Sequence, residues 1–346
     1  MRALYLAVVV GCLGGCSAPA TLPELVQAEK AADRGDVDAA LRSYREAQTG
    51  CKRLKPERRQ RQACSEALLG EAEVLEHAGR KDEATKTYLA IPPRAPDDDM
   101  TAATATYRAG GLLLEAGKDV DAWTALWKVV TDYPDEPIAG DALGKLVDDG
   151  RKRDARALAD QLGKLLTALA ETQVGDNLVW ALAELNEKEL ANQNAARALY
   201  DRIPADYPKS GLRDDSRWHA ARLSRELGDS KGAAERLRAL LATREVALGA
   251  GSYFSIWLDN AQLELGKVLR DDLKDLSGAI AAFRKLPKDY PASILKDDAL
   301  YELATTLAAA GNGKDACRAI ADLRKQSPDS KYITDVGALG AELKCP

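Results

Sequence analysis

Runs in which apolar and polar residues alternate are few along this chain, so strands are not expected to dominate it. Large apolar residues fall instead four positions after an alanine, and a proline follows at twelve. The sets are Ala84/Tyr88/Pro96, Ala122/Leu126/Pro134, Ala196/Tyr200/Pro208, Ala279/Phe283/Pro291 and Ala316/Ile320/Pro328. A second pattern, glycine then four residues then alanine, runs through Gly35–Ala40, Gly79–Ala84, Gly117–Ala122, Gly150–Ala155, Gly228–Ala233 and Gly311–Ala316. Together the two patterns anchor eight units, at Ala40, Ala84, Ala122, Ala155, Ala196, Ala233, Ala279 and Ala316, spaced 33 to 46 residues apart. Offsets held this often are the signature of a repeat architecture.

Each position has a mechanical reason. Glycine takes the left-handed conformation that ends a helix. Alanine opens the second helix and lets a neighbour approach closely. The apolar residue four positions on shares its face. Proline cannot continue the helix. Aspartates then stand where the next helix starts: Asp98 and Asp99, Asp141, Asp176, Asp214 and Asp215, Asp297 and Asp298. There they are expected to cap free N–H groups and oppose the helix dipole. The pattern predicts successive helical hairpins.

These positions resemble the tetratricopeptide repeat, and the last unit fits best, with Leu300, Leu303, Ala304, Leu307, Ala316, Ile320, Leu323 and Pro328 on the family's small and apolar positions. Trp180 and Trp218 sit near its first-helix tryptophan. The resemblance implies an all-α, right-handed solenoid of about eight helical hairpins over residues 24–330, closed by a capping helix over 331–346. The units at Ala155 and Ala233 lack the closing proline, the unit at Ala155 also lacks the apolar residue four positions on, and the unit at Ala279 carries an insertion around Arg270 to Ser277.

Composition sharpens this picture. The chain has 346 residues, 30% of them charged and 5% aromatic. That length exceeds the roughly 250–300 residues a single core holds, which suits an array of repeats. Near the N-terminus, the apolar run Ala3 to Val10 is too short to cross a bilayer, which takes about 20 residues. Preceded by Arg2 and followed by small residues, it reads as an export signal over residues 1–15. Leu13-Gly14-Gly15-Cys16 resembles the lipobox of bacterial lipoproteins. That likeness implies cleavage before Cys16 and acylation of Cys16, with residues 16–23 as a tether. Val9-Val10-Gly11-Cys12 also fits the box but leaves a very short signal. Ser17, where an aspartate would mark inner-membrane retention, implies an outer-membrane anchor facing the periplasm.

Of six cysteines, four remain beyond Cys12 and Cys16. An even number in an exported chain points to disulfides. Four cysteines allow three connectivities; the near-neighbour pairing, Cys51–Cys64 and Cys317–Cys345, closes two modest loops, each worth about 3–4 kcal/mol.

Catalytic signatures are missing. No glycine-rich phosphate loop, nucleophile elbow or Cys-x-x-Cys occurs. Neither His77 nor His219 has ligand partners at metal-binding spacing. His77 reads as a dipole partner at a helix end, His219 as a surface or groove residue. Asp97-Asp98-Asp99 reads as a helix start. Charge singles out Cys51 to Cys64, where Lys52, Arg53, Lys55, Arg58, Arg59 and Arg61 face one acid, Glu57, in a chain of net charge −5. This is either a solvated face or a patch for an anionic partner. Trp123 and Trp127, four apart, and Trp218 are candidate aromatic contacts or packing between repeats. No cofactor, metal or nucleic acid is expected.

The tail Asp297 to Ile333 and the Tyr-Pro closures at Pro134, Pro208 and Pro291 are similar to periplasmic repeat proteins of the Tol-Pal system and to the repeat lipoprotein of β-barrel assembly. The expectation is a non-enzymatic, lipid-anchored scaffold that binds envelope proteins or peptide segments through a concave helical surface. Cell-wall binding or regulation of wall enzymes is the alternative, and an enzyme with an unrecognised site a second.

Overall fold

In the computed structural model of the chain, residues 22–243 and 255–346 are described. The export signal, Cys12, Cys16 and most of the tether lie outside them. Among the described residues all regular structure is helical. The helices are α1 (Pro23–Asp33), α2 (Val37–Gly50), α3 (Glu57–His77), α4 (Lys81–Leu89), α5 (Asp99–Glu115), α6 (Asp119–Asp132), α7 (Ile138–Leu169), α8 (Gly175–Glu184), α9 (Gln193–Asp206), α10 (Arg213–Glu226), α11 (Ser230–Leu241), α12 (Leu258–Lys267), α13 (Leu276–Asp289), α14 (Lys296–Ala309), α15 (Gly313–Gln326) and α16 (Ile333–Glu342).

The chain divides into two compact units, the first ending at Leu146 and the second beginning at Val147. In the first, α1/α2, α3/α4 and α5/α6 are hairpins, each packed on the next through α2 with α3 and α4 with α5. In the second, α8/α9, α10/α11, α12/α13 and α14/α15 repeat the arrangement, and α16 packs on α14 and α15. This is the tetratricopeptide-like, all-α hairpin architecture that the offsets predict.

The anchor positions explain why the hairpins form. Ala40, Ala84, Ala122, Ala196, Ala233, Ala279 and Ala316 are fully buried. Four residues on, Tyr44, Tyr88, Leu126, Tyr200, Leu237, Phe283 and Ile320 are buried as well. Each such side chain contributes on the order of 1.5–3 kcal/mol. Three of them lie over glycines: Tyr44 over Gly70, Leu126 over Gly110 and Phe283 over Gly266. A Cβ on Gly70 or Gly266 would run into the ring above it.

Two kinds of turn join the two helices within a hairpin. Gly35, Gly79, Gly117, Gly228 and Gly311 all have positive φ, between 68° and 79°, as the left-handed helix stop requires. The hairpins around Ala196 and Ala279 lack that glycine. There Ala191 (φ 50°) and Lys274 (φ 58°) take the turn, each just after one π-helical turn, Leu185–Glu189 and Val268–Asp272. At the insertion expected around Arg270 to Ser277 the chain shows only this π turn, and the extra length of that unit falls between α11 and α12, largely outside the described residues.

Two expectations are corrected. Gly150 is no helix stop, since α7 runs through it and breaks at Asp154 (φ −157°, ψ 92°). Asp154 accepts from the Ala157 amide at 2.9 Å, so the next helical stretch starts about three residues later than read. The buried position equivalent to the other anchors is Leu158, followed four on by Leu162, and Ala155 is only half-buried.

The second correction concerns the aspartates at the starts of first helices. Only Asp98 caps its own helix, accepting from Thr101 N at 3.1 Å. Asp99, Asp141, Asp176, Asp214, Asp215, Asp297 and Asp298 sit inside the first turn, past the capping position. The side-chain caps stand instead where second helices begin. Asp36, Asn192, Asp229, Asp275 and Asn312 each accept from an amide three residues on.

Candidate functional site

First helices carry a recurrent clamp. In α3 Glu76 accepts the Tyr88 hydroxyl at 2.9 Å and pairs with Arg108 at 3.0 Å. In the second unit Glu187, on the π turn after α8, holds the equivalent place. It accepts the Tyr200 hydroxyl at 2.8 Å, lies 3.2 Å from Nδ1 of His219 and binds Arg222, which also pairs with Glu226. Trp180 closes this cluster, its ring 5.1 Å from Tyr200 and 5.4 Å from His219. Farther along, Arg225 bonds Glu264 and Asp272. Arg270, on the second π turn, binds Asp271 and Glu302.

Burial alone would raise the Glu187 pKa. The hydrogen bonds from His219 and Tyr200 and the charge of Arg222 outweigh it and hold the carboxylate at about 2. Burial and the Glu187 carboxylate push the Tyr200 hydroxyl well above its ordinary value, so it stays a donor. A carboxylate this acidic neither gives nor takes a proton near neutrality. The cluster therefore works as a clamp between hairpins. Among the described residues no group of three His, Cys, Asp or Glu could hold a metal ion.

A different surface has the form of a binding groove. It opens between α11 and α13, with α12 as its floor, and has a volume of about 780 Å³. Leu265 and Leu269 give it an apolar floor, Ala281 and Ala282 line its α13 wall, and Arg238, Arg284, Lys285, Lys288 and Asp289 border it. A second groove of about 540 Å³ continues between α13 and α15, sharing Arg284 and Lys288 and floored by Leu300, Leu303 and Leu307. Asp315 engages Arg318 at 2.9 Å and Arg284 at 3.9 Å. Arg238, Lys285 and Lys288 are exposed and have no ion-pair partner among the described residues. The groove runs between second helices, and first helices make its floor.

The residues singled out by sequence are spread between the units. Lys52, Arg53, Lys55, Arg58, Arg59 and Arg61 are all exposed. Beside them Cys51 and Cys64 are joined by a disulfide with Cα atoms 5.3 Å apart. Cys317 and Cys345 are joined at 5.4 Å, tying α15 to the segment after α16. Trp123 and Trp127 are half-buried on α6. Trp218 is taken up in packing: it stacks on Trp257 at 5.0 Å, and Trp257 donates its indole N–H to Asp215 at 2.6 Å. Tyr301, Tyr332 and Asp298 repeat that arrangement one hairpin pair later, with rings 4.1 Å apart and a 2.7 Å hydrogen bond. His77 is exposed in the last turn of α3. Sequence reading missed the Glu187 clamp and the groove. For the clamp a signal existed: Glu76 and Arg108, Glu187 and His219, and Arg270 and Glu302 are each 32 residues apart.

A family model agrees with the last two hairpins. The tetratricopeptide repeat family matches residues 260–293 and 298–330. No curated protein matches the chain by sequence. Among solved structures, the chain is similar to the C-terminal part of a TPR repeat-containing protein from Cytophaga hutchinsonii, at 12% identity and TM-score 0.46, covering 80% of this chain and 99% of that one. It is similar to PilW, a type IV pilus biogenesis factor, at 14% identity and TM-score 0.37, covering 79% and 97%. It is also similar to Pseudomonas aeruginosa PilF, at 11% identity and TM-score 0.30, covering 83% and 96%.

Proposed function

We propose that this chain is a scaffold that captures acidic, partly apolar protein segments in the groove between α11, α13 and α15. The observation that carries this reading is a long apolar floor edged by Arg238, Lys285 and Lys288, three cations without an ion-pair partner among the described residues. An occupant with apolar residues for the floor and Asp or Glu for the rim buries the one and pairs the other. The well-paired first helices support a rigid frame for it. The test is selection from a random peptide display library on the immobilised full chain. Enriched peptides should pair Asp or Glu with two or more large apolar residues, and Lys285→Glu/Lys288→Glu should cut their affinity at least tenfold. Enrichment of basic peptides, or affinity unmoved by that variant, would overturn the reading.

We place the scaffold at the envelope, acylated at Cys16. The export pattern, the lipobox and the two disulfides support this placement. Cys16→Ala should move the protein from the membrane to the soluble fraction, and unchanged fractionation would contradict acylation. The partners would then be proteins of an envelope assembly.

A further inference from the structure

Among the described residues the charge of Arg61 acts on Asp98, but no side-chain hydrogen bond ties down any of the six cations between Cys51 and Cys64. Lys52, Arg53, Lys55, Arg58, Arg59 and Arg61 are exposed, and among the described residues none has an ion-pair partner. Cys51 is fully buried in the core of the first unit, so the disulfide pins the segment while its charges point to solvent. Repulsion among six such charges is unfavourable unless anions lie near them.

Two further observations identify the anion. First, Lys52 and Arg61 border a cleft of about 280 Å³ whose opposite wall holds Asp97 and Asp98. Those carboxylates disfavour an anion seated in the cleft, and Arg53, Lys55, Arg58 and Arg59 lie outside its lining, so most of the charge faces open surface instead. Second, Leu22, the first described residue, lies against Gly50, next to Cys51. From Cys16 to Leu22 an extended chain spans at most about 20 Å. An acyl group on Cys16 therefore keeps Leu22 within about 20 Å of the bilayer surface, near enough for the unit to turn the patch to within a Debye length of it, where basic residues are drawn to anionic lipids.

We propose that the Cys51–Cys64 segment is a second membrane contact, binding the phosphate-bearing headgroups of anionic lipids and turning the first unit's α2–α3 corner toward the bilayer. A lipobox cysteine carries several acyl chains and anchors by itself, so the patch acts on orientation rather than on membrane affinity. The proposal rests on the lipid-anchor reading above, but the patch is testable without it.

The experiment uses the full chain carrying Cys16→Ala, so that no acyl group contributes. Binding to phosphatidylglycerol vesicles is compared with binding to phosphatidylcholine vesicles by co-sedimentation, at low and physiological salt. The neutral vesicles read out any insertion of the apolar N-terminal segment. We expect binding to the anionic vesicles alone, weakened by salt. Arg58→Gln/Arg59→Gln/Arg61→Gln should lower it on the order of 100-fold, about fivefold per charge, and the Glu versions should abolish it, with unchanged circular dichroism in both. Equal binding to both lipids, or binding that survives charge reversal, would overturn the proposal. So would a patch that ignores vesicles and crosslinks to an acidic protein. Mass spectrometry of the N-terminal peptide from membranes separately reports whether Cys16 is acylated, so failure of the anchor and failure of the patch are read independently.

Discussion

Tyr88 and Tyr200 make the same bond in different hairpins, but across different lengths of chain. Tyr88 reaches Glu76 twelve residues back, and Tyr200 reaches Glu187 thirteen back. In the first unit a glycine ends the helix, and Glu76 takes one hydroxyl and one arginine. In the second unit a π turn absorbs the extra residue, and Glu187 takes the hydroxyl, a histidine and an arginine together. The buried side chain is conserved between the two hairpins while the turn varies. The tyrosine must fill its site whatever the loop does, because an empty site costs more than a strained turn.

The comparison breaks first at the tyrosines. Tyr200→Ala and Tyr88→Ala should each destabilise their hairpin by about 3–5 kcal/mol. Tyr200→Phe should cost about 1–2 kcal/mol, because a buried carboxylate loses a donor. Hydrogen-exchange protection of α8/α9 and α3/α4 reads both, and equal protection in Tyr200→Ala and wild type would refute the clamp. Next come the disulfides. Cys317→Ser/Cys345→Ser opens the longer loop, spanning 28 residues against 13, and should cost about 3–4 kcal/mol against about 3 for the other pair. Urea melts of the two variants give the order.

Acid sharpens the contrast. The Glu187 pKa is depressed to about 2 from 4.5. Its contribution is therefore complete above pH 4.5 and is lost as pH falls toward 2. Wild type should lose stability across that window more steeply than Glu187→Gln; matching acid profiles would rule the clamp out. The smallest effect lies in the turns. Ala191→Gly relieves a left-handed alanine and should stabilise by up to about 1 kcal/mol, while Gly228→Ala should destabilise by about 1 kcal/mol. Thermal melts with both shifts in one direction would show that the two turns are not alternatives.

The hairpins were legible because small, large and breaking residues recur at fixed offsets, and that periodicity is imposed by close packing. The turn chemistry was only partly legible. A missing glycine before Ala196 and Ala279 marks the two π turns, but the same spacing at Gly150 was misleading, because a glycine inside a helix looks the same in sequence as one that ends it. Aspartates near helix starts were assigned to caps, yet Asp215, Asp297 and Asp298 reach the following hairpin. A bond across more than thirty residues leaves no local pattern. The groove was not legible at all: it arises from the spacing of second helices, which no single segment encodes. The basic patch was plain in the sequence, but its position beside Leu22 was not.

The most direct measurement places a photoreactive residue at Ala281, on the α13 wall of the groove, or at Lys55, in the basic segment, and crosslinks in intact cells. The account predicts adducts at Ala281 with an acidic segment of another protein, abolished by Lys285→Glu/Lys288→Glu, and phospholipid adducts at Lys55. Protein adducts confined to Lys55, with none at Ala281, would contradict it.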